Sequence, residues 1–368
     1  MRQRLQELPG VTILDRYDVT SLLTSHDRRQ VTGVTLRSLA NELRATRPSA
    51  GARSGLAASL PDQSLLRSAT MIPTEAPRLA PVRFGAATVD GVRSPYLHAG
   101  PTDADEAVVF VHGNPGPAAD WQRLVARTGA FARAVAPDMP GYGDADKPDD
   151  FDYTVEGYAR HLGGILDQLG IKRVHLVLHD FGGQWGLTWA ADHPDRFASV
   201  TLVNIGVLRG YRWHYLARIW RIPVLGEAFM RTTTSPALRL VLRHGNPRGL
   251  PRDTLERMSR DIKNPAVQRA VLRLYRATDP AARSEQLHQQ LRSLDCPALV
   301  IWGARDPYLP VSYAQRQRET FPNAEVVILE DSGHWPMLDH PVAVEQPVLR
   351  FLSALTTDHP SGPAHQVP

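Results

Sequence analysis

From residue 82 onward, short apolar runs alternate with longer segments whose apolar residues recur at helical spacing. Residues 83–89 and 92–98 flank Asp90-Gly91, a pattern that predicts a hairpin with a tight turn. Runs at 106–111, 132–136, 174–179, 199–203, 297–302 and 324–329 are short, apolar and bounded by turn residues, as buried strands are. Segments 153–169, 184–192, 312–320 and 342–355 carry the helical period. Strands alternating with helices predict an α/β protein, a mostly parallel sheet with helices on both faces. Between about 205 and 294 the strand signal vanishes, which predicts a helical insertion in the sheet's sequence.

The run at 174–179 ends in His179-Asp180-Phe181-Gly182-Gly183 and passes at once into a helical segment. So short a strand-to-helix turn forces its middle residue into a strained, left-handed backbone with the side chain standing clear. Small residues must follow so that strand and helix can close up, which Gly182 allows. The residue presented is Asp180, and no Gly-x-Ser-x-Gly occurs in the chain. A carboxylate nucleophile attacks saturated carbon and becomes an alkyl ester; a histidine-activated water then hydrolyses that ester at the enzyme's own carbonyl. This chemistry suits epoxides and alkyl halides. The plain alternative is that Asp180 only caps the following helix.

Other segments argue against mere capping. Asp306 in Trp302-Gly303-Ala304-Arg305-Asp306-Pro307 and His334 in Asp331-Ser332-Gly333-His334-Trp335 each lie just past an apolar strand. The order nucleophile, acid, histidine is expected to form a triad, with His334 activating water and Asp306 holding its tautomer. The backbone N–H groups of Asn114, after His112-Gly113, and of Phe181 are expected to form an oxyanion hole. His179 is expected to point into the fold, and His112 to brace its loop.

Residues from about 82 to 355 resemble the α/β-hydrolase superfamily, in its Asp-nucleophile branch of epoxide hydrolases and haloalkane dehalogenases. The resemblance rests on His112-Gly113-Asn114-Pro115, residues 138–143, residues 179–183, Asp306 and Gly333-His334. It implies an α/β-hydrolase fold with an eight-stranded type of sheet and a helical lid. His-Gly-Asn-Pro and Leu178 are similar to the dehalogenases, whose Asn helps bind the departing halide. Those enzymes place Trp after the nucleophile, however, and Phe181 has no donor to offer. Epoxide hydrolases use lid tyrosines to protonate the alkoxide. Tyr275 occupies a similar position, with Tyr215 or Tyr211 as its companion. Epoxide hydrolysis therefore leads, dehalogenation is the alternative, and a non-catalytic binding scaffold is the reading from another class.

The expected division is an N-terminal extension and linker (1–80), core (81–204), lid (205–294), core (295–356) and a disordered tail (357–368). Within the extension, strands are expected at 11–14 and 31–36 around a polar turn at 26–30. Residues 9–38 faintly resemble a strand pair of flavin-dependent monooxygenases, but no Gly-x-Gly-x-x-Gly supports a flavin site. The working protein is expected to begin near Met71, with the residues before it poorly ordered.

Composition adds less. The chain has 368 residues, 42% hydrophobic and 22% charged, as an ordinary globular protein has. One cysteine, Cys296, excludes an intrachain disulfide, and neither a signal peptide nor a membrane span is legible. A cytoplasmic location is expected. Residues 209–283 hold 16 Lys/Arg against 5 Asp/Glu, a net +11 in a chain of net +4. Such a lid could steer an anionic substrate or dock an acidic carrier, or simply be a solvated arginine-rich face. No nucleic-acid motif, metal cluster or cofactor motif is present. A small-molecule substrate is expected, and no oligomeric state is legible.

Overall fold

A computed structural model describes residues 17–24, 31–38 and 79–356, in two units that divide at residues 72 and 73. In the first unit, β1 (Tyr17–Thr24) pairs antiparallel with β2 (Val31–Ser38). The second strand is where the apolar pattern put it. Its partner lies beyond the predicted 11–14, which, like the 26–30 turn and the 357–368 tail, falls outside the described residues.

In the second unit, β3 (Arg83–Val89) and β4 (Val92–Ala99) form the hairpin. Asp90 and Gly91 both take positive φ, 49° and 79°, as a two-residue turn with the twist of its strands requires. The chain continues through β5 (Glu106–Val111), α1 (Gln122–Thr128), β6 (Ala134–Pro137), α2 (Val155–Gln168), β7 (Arg173–His179), α3 (Phe181–Asp192) and β8 (Phe197–Val203). Six helices follow: α4 (Tyr215–Arg221), α5 (Leu225–Thr232), α6 (Ser235–Gly245), α7 (Arg252–Lys263), α8 (Pro265–Ala277) and α9 (Pro280–Arg292). Then come β9 (Ala298–Gly303), α10 (Ser312–Arg316), β10 (Glu325–Leu329), α11 (Pro336–Asp339) and α12 (Pro341–Ser353).

The eight strands of this unit lie in the order β10-β9-β8-β7-β5-β6-β4-β3. Only β4 runs antiparallel to its neighbours β3 and β6; the other pairings are parallel. The parallel order reverses at β5, which has β6 on one side and β7 on the other, so a crevice opens beyond its C-terminal end.

Both faces of the sheet are covered, which is why its central strands are apolar throughout rather than alternating. Along β5, Val109 and Val111 join the core that holds Tyr158, Leu162 and Trp185. Val108 and Phe110 join the opposite core, with Trp121, Val125, Val344 and Leu352. Truncating a fully buried residue such as Leu162 to Ala costs about 2–5 kcal/mol.

Helices α3 and α1 differ from the sequence pattern for reasons visible in the packing. Helix α3 starts at Phe181, three residues before the predicted start, despite Gly182 and Gly183. Glycine is a poor helix former, but a Cβ at Gly182 would overlap the Val111 and His112 carbonyls, and one at Gly183 the Ile205 side chain. Close packing of helix on sheet overrides propensity there. Helix α1 was not predicted, since only Leu124, Val125 and Thr128 of its seven residues are buried.

Insertion arginines reach carboxylates of the surrounding core: Arg248 to Asp331, Arg257 to Asp120, Arg269 and Arg273 to Asp149, and Arg283 to Glu156. Much of the insertion's positive charge is thus spent on holding it to the sheet. Among the described residues no helix is long and apolar enough to cross a membrane.

Candidate active site

Strand β7 delivers Asp180 to the crevice at φ 49° and ψ −127°, a conformation that costs a non-glycine residue about 1–3 kcal/mol. It is held there by helix α3, whose Gly183 N–H donates to the Asp180 carbonyl at 2.9 Å, and by Gly113, where any Cβ would overlap the Asp180 side chain. The Asn114 N–H donates to Asp180 Oδ1 at 2.6 Å. Phe181 opens α3, so its N–H is one of those an α-helix leaves without an internal acceptor.

Asp306 lies in the turn after β9. Its Oδ1 accepts from the N–H groups of Tyr308 at 2.7 Å and Leu309 at 3.1 Å. Its Oδ2 accepts from His334 Nδ1 at 2.7 Å and Asn204 Nδ2 at 2.8 Å. Asn204, at the end of β8 with φ 46°, also accepts from the Gly303 N–H at 2.9 Å and so ties two strand ends together. His334 is fixed through its own N–H, which donates to the Gly245 carbonyl at 2.8 Å. Its Nε2 lies 3.6 Å from Asp180 Oδ2, an ionic contact rather than a direct hydrogen bond.

The imidazole therefore sits between two carboxylates. Burial pulls the His334 pKa down, but the Asp306 charge with its hydrogen bond, and the nearby Asp180 charge, outweigh it and hold it above the ordinary value. Burial pushes Asp180 up, and the neighbouring imidazolium with the Asn114 N–H overcomes this and holds it below the carboxylate range. His179 points inward as expected. Its Nε2 donates to the His334 carbonyl at 2.8 Å, and burial pushes its pKa down to about 3, so it buttresses the turn as a neutral ring. His112 donates from Nδ1 to the Gly113 carbonyl and accepts the Met139 N–H at Nε2, both at 2.9 Å, bracing the loops after β5 and β6.

Above these groups lies a cavity whose envelope, mouth included, is about 830 Å³. Asn114, Asp180, His214, Tyr275 and His334 form its polar end. Leu216, Met230, Leu238, Leu242 and Val271, from α4, α5, α6 and α8, form its apolar wall. Tyr275 is buried, packs edge-on against Phe181 at 4.9 Å, and accepts the Asn114 Nδ2–H at 3.3 Å. Tyr215 is not brought to this cavity: it is 45% exposed, because α4 turns that side chain toward solvent and His244. Tyr211 is buried but donates its hydroxyl to the Tyr308 carbonyl at 3.1 Å.

Two further groups here escaped the sequence reading. Asn204 has no motif around it. His214 caps α4, accepting the Ala217 N–H at Nδ1 (3.2 Å), and burial pushes its pKa down to about 4. Only its place within a Trp-His-Tyr run marked it.

A sequence profile described as alpha/beta hydrolase fold matches residues 106–341. The chain is 31% identical over 279 residues to a cis-3-alkyl-4-alkyloxetan-2-one decarboxylase of Xanthomonas campestris pv. campestris, covering 69% of this chain and 90% of that protein. It is 27% identical over 290 residues to a haloalkane dehalogenase of Mesorhizobium japonicum, covering 74% and 92%. Among solved structures it is similar to the epoxide hydrolase CorEH, with a TM-score of 0.64, 21% identity and coverage of 75% and 100%. The haloalkane dehalogenase DatA from Agrobacterium tumefaciens gives 0.65 at 23% identity, covering 75% and 97%. The profile match spans more than half of the sequence: the chain belongs to the α/β-hydrolase family.

Proposed function

We propose that the protein is a hydrolase that opens an electrophilic saturated carbon through an ester on Asp180, with an epoxide as the electrophile. The arrangement of Asp180 carries this reading: Oδ1 is held by the Asn114 N–H while Oδ2 faces His334, itself held by Asp306. Oδ2 attacks the epoxide carbon and the C–O bond breaks. Tyr275 supplies the proton the alkoxide needs; its oxygen accepts from Asn114, which leaves its O–H for substrate. Esterification then removes the Asp180 charge, one of the two that hold His334 protonated. The imidazole pKa falls, its proton passes through solvent to the tyrosinate left at Tyr275, and the neutral ring takes a proton from the water that adds to the Asp180 carbonyl. The Asn114 and Phe181 N–H groups stabilise the resulting oxyanion, such donors contributing about 3 kcal/mol each. Collapse of that adduct breaks the ester C–O bond, the diol leaves with the proton held by the ring, and the Asp180 carboxylate is restored. Helices α4–α9 act as the lid that excludes bulk water and shapes the apolar wall.

A second reading is favoured by the 31% identity to the oxetan-2-one decarboxylase. Asp180 would attack the ring carbon bonded to the lactone oxygen and release a carboxylate, a leaving group that needs no proton. The ester would then either hydrolyse, or lose CO2 as the C–C pair forms an alkene and expels Asp180. A halide would likewise leave without an acid.

Intact-mass analysis of a His334→Gln variant exposed to epoxide, oxetan-2-one and haloalkane panels tests all three. An adduct on Asp180 of whole-epoxide mass is the expected result. A whole-lactone or a dehalogenated alkyl adduct would move the function to the second reading or to dehalogenation. No adduct from any panel would leave a non-catalytic scaffold.

A further inference from the structure

The insertion's cations fall into two sets. From Arg248 onward most have carboxylate partners: Asp331, Glu256, Asp120, Asp149, Glu227 and Glu156 take up seven arginines between Arg248 and Arg283, among them Arg276 on Glu227. Arg212, Arg218, Arg231, Arg239 and Arg243 have no carboxylate partner among the described residues. The only acidic residue between positions 210 and 247 is Glu227, already held by Arg276. Uncompensated positive charge is therefore concentrated on α4, α5 and α6.

Among the described residues, the same stretch also carries exposed apolar side chains. Tyr215 (45%), Ile222 (50%), Val224 (79%), Leu225 (49%) and Leu240 (70%) are exposed, five of the nine exposed large apolar residues among those described. They lie on α4, at the connection from α4 to α5 and on α6. Tyr215 and Arg218, three apart, share one side of α4, and Ile222, Val224 and Leu225 are exposed in succession where α4 gives way to α5. The Tyr215 ring lies 6.5 Å from that of His244, which follows Leu240 by one turn of α6. At the tip between α4 and α5, Val224 holds φ 69°, a position costly for a β-branched residue, with its side chain in solvent. The opposite sides of these helices line the cavity through Leu216, Phe229, Met230, Leu238 and Leu242. Helices apolar on both sides have one side unaccounted for.

We propose that this face docks on the surface of an anionic lipid bilayer. Ile222, Val224 and Leu225 enter the boundary between headgroups and acyl chains, and Arg218, Arg231, Arg239 and Arg243 meet lipid phosphates. A bilayer fits better than an acidic protein. The aliphatic tips project instead of forming a groove, and the guanidinium groups are interspersed with them, which suits a fluid surface without fixed shape. The inference is independent of which electrophile Asp180 attacks.

Co-sedimentation of the full chain with phosphatidylcholine vesicles, with and without phosphatidylglycerol, tests it. Binding to the anionic vesicles is expected, about ten-fold weaker without phosphatidylglycerol and weakened by salt. A Val224→Asp/Leu225→Asp variant and, separately, an Arg239→Glu/Arg243→Glu variant should each lose about ten-fold in binding with unchanged thermal unfolding. No binding of the unaltered protein to anionic vesicles, or equal binding by both variants, overturns the proposal. Binding to soluble polyglutamate but not to vesicles overturns it in favour of an acidic protein partner.

Discussion

At the C-terminal edge of the sheet, Asp306 accepts four hydrogen bonds, and His334 is pinned through both its ring and its backbone N–H. The wall across the cavity is held differently. Met230, Leu242 and Val271 line it by packing alone, on helices anchored by scattered arginine–carboxylate pairs. The contrast teaches where precision is kept. Strand ends share one hydrogen-bonded frame, so a group placed there is fixed by several bonds at once. The wall has no such frame of its own, though α8 also carries Tyr275 and the end of α6 supplies the Gly245 carbonyl that holds His334.

Substitutions sharpen this contrast, beginning with the frame. Asp180→Asn should lower turnover by about 10⁴-fold or more with little change in melting temperature, seen by steady-state rates beside thermal unfolding. Asp306→Asn should cost about 10⁴-fold by losing the His334 tautomer, while adduct formation on Asp180 persists in mass spectra. An equal loss of both steps would mean that Asp306 only holds the loop. Tyr275→Phe separates the electrophiles: about 10²-fold slower epoxide opening is expected, with haloalkane or oxetan-2-one turnover within a few-fold of the parent.

The insertion responds through stability and substrate range. Arg257→Ala leaves Asp120 buried without its counter-charge, a loss of about 3 kcal/mol near pH 8. Burial, opposed by Arg257, raises the Asp120 pKa to about 6 in the folded protein. A group whose folded pKa is raised stabilises at low pH and ceases to as pH climbs through that value. The deficit in melting temperature should therefore shrink as pH falls from 8 toward 4; a deficit independent of pH would break the assignment. Met230→Ala should change KM for long-chain substrates a few-fold with kcat unaltered, because it touches the wall and none of the reacting groups.

Much of the frame was legible because its signals are local. Apolar runs bounded by Gly, Pro and Asp mark strands and their ends, and Asp180, Asp306 and His334 each follow such a run. Gly182 signalled close approach at the elbow, which its packing shows; the same closeness at Gly113 emerged only from the structure. Tyr275 stood out in the sequence by its position before Asp306, whereas Tyr215 and Tyr211 could not be separated as its companion; only the orientation of α4 leaves Tyr215 exposed and Tyr211 buried. Likewise the excess of arginine on the insertion was visible, but its partners were not.

The chain by itself determined the α/β alternation, the aspartate at the strained turn and the order of its candidate partners, since each is written within a few neighbouring residues. Tertiary structure alone decided that Asn204 meets Asp306 across 102 positions, that the Gly245 carbonyl receives the His334 N–H, and which side chains wall the cavity. Those contacts depend on how distant segments pack together, and side-chain periodicity reports which face of an element is buried without naming what covers it.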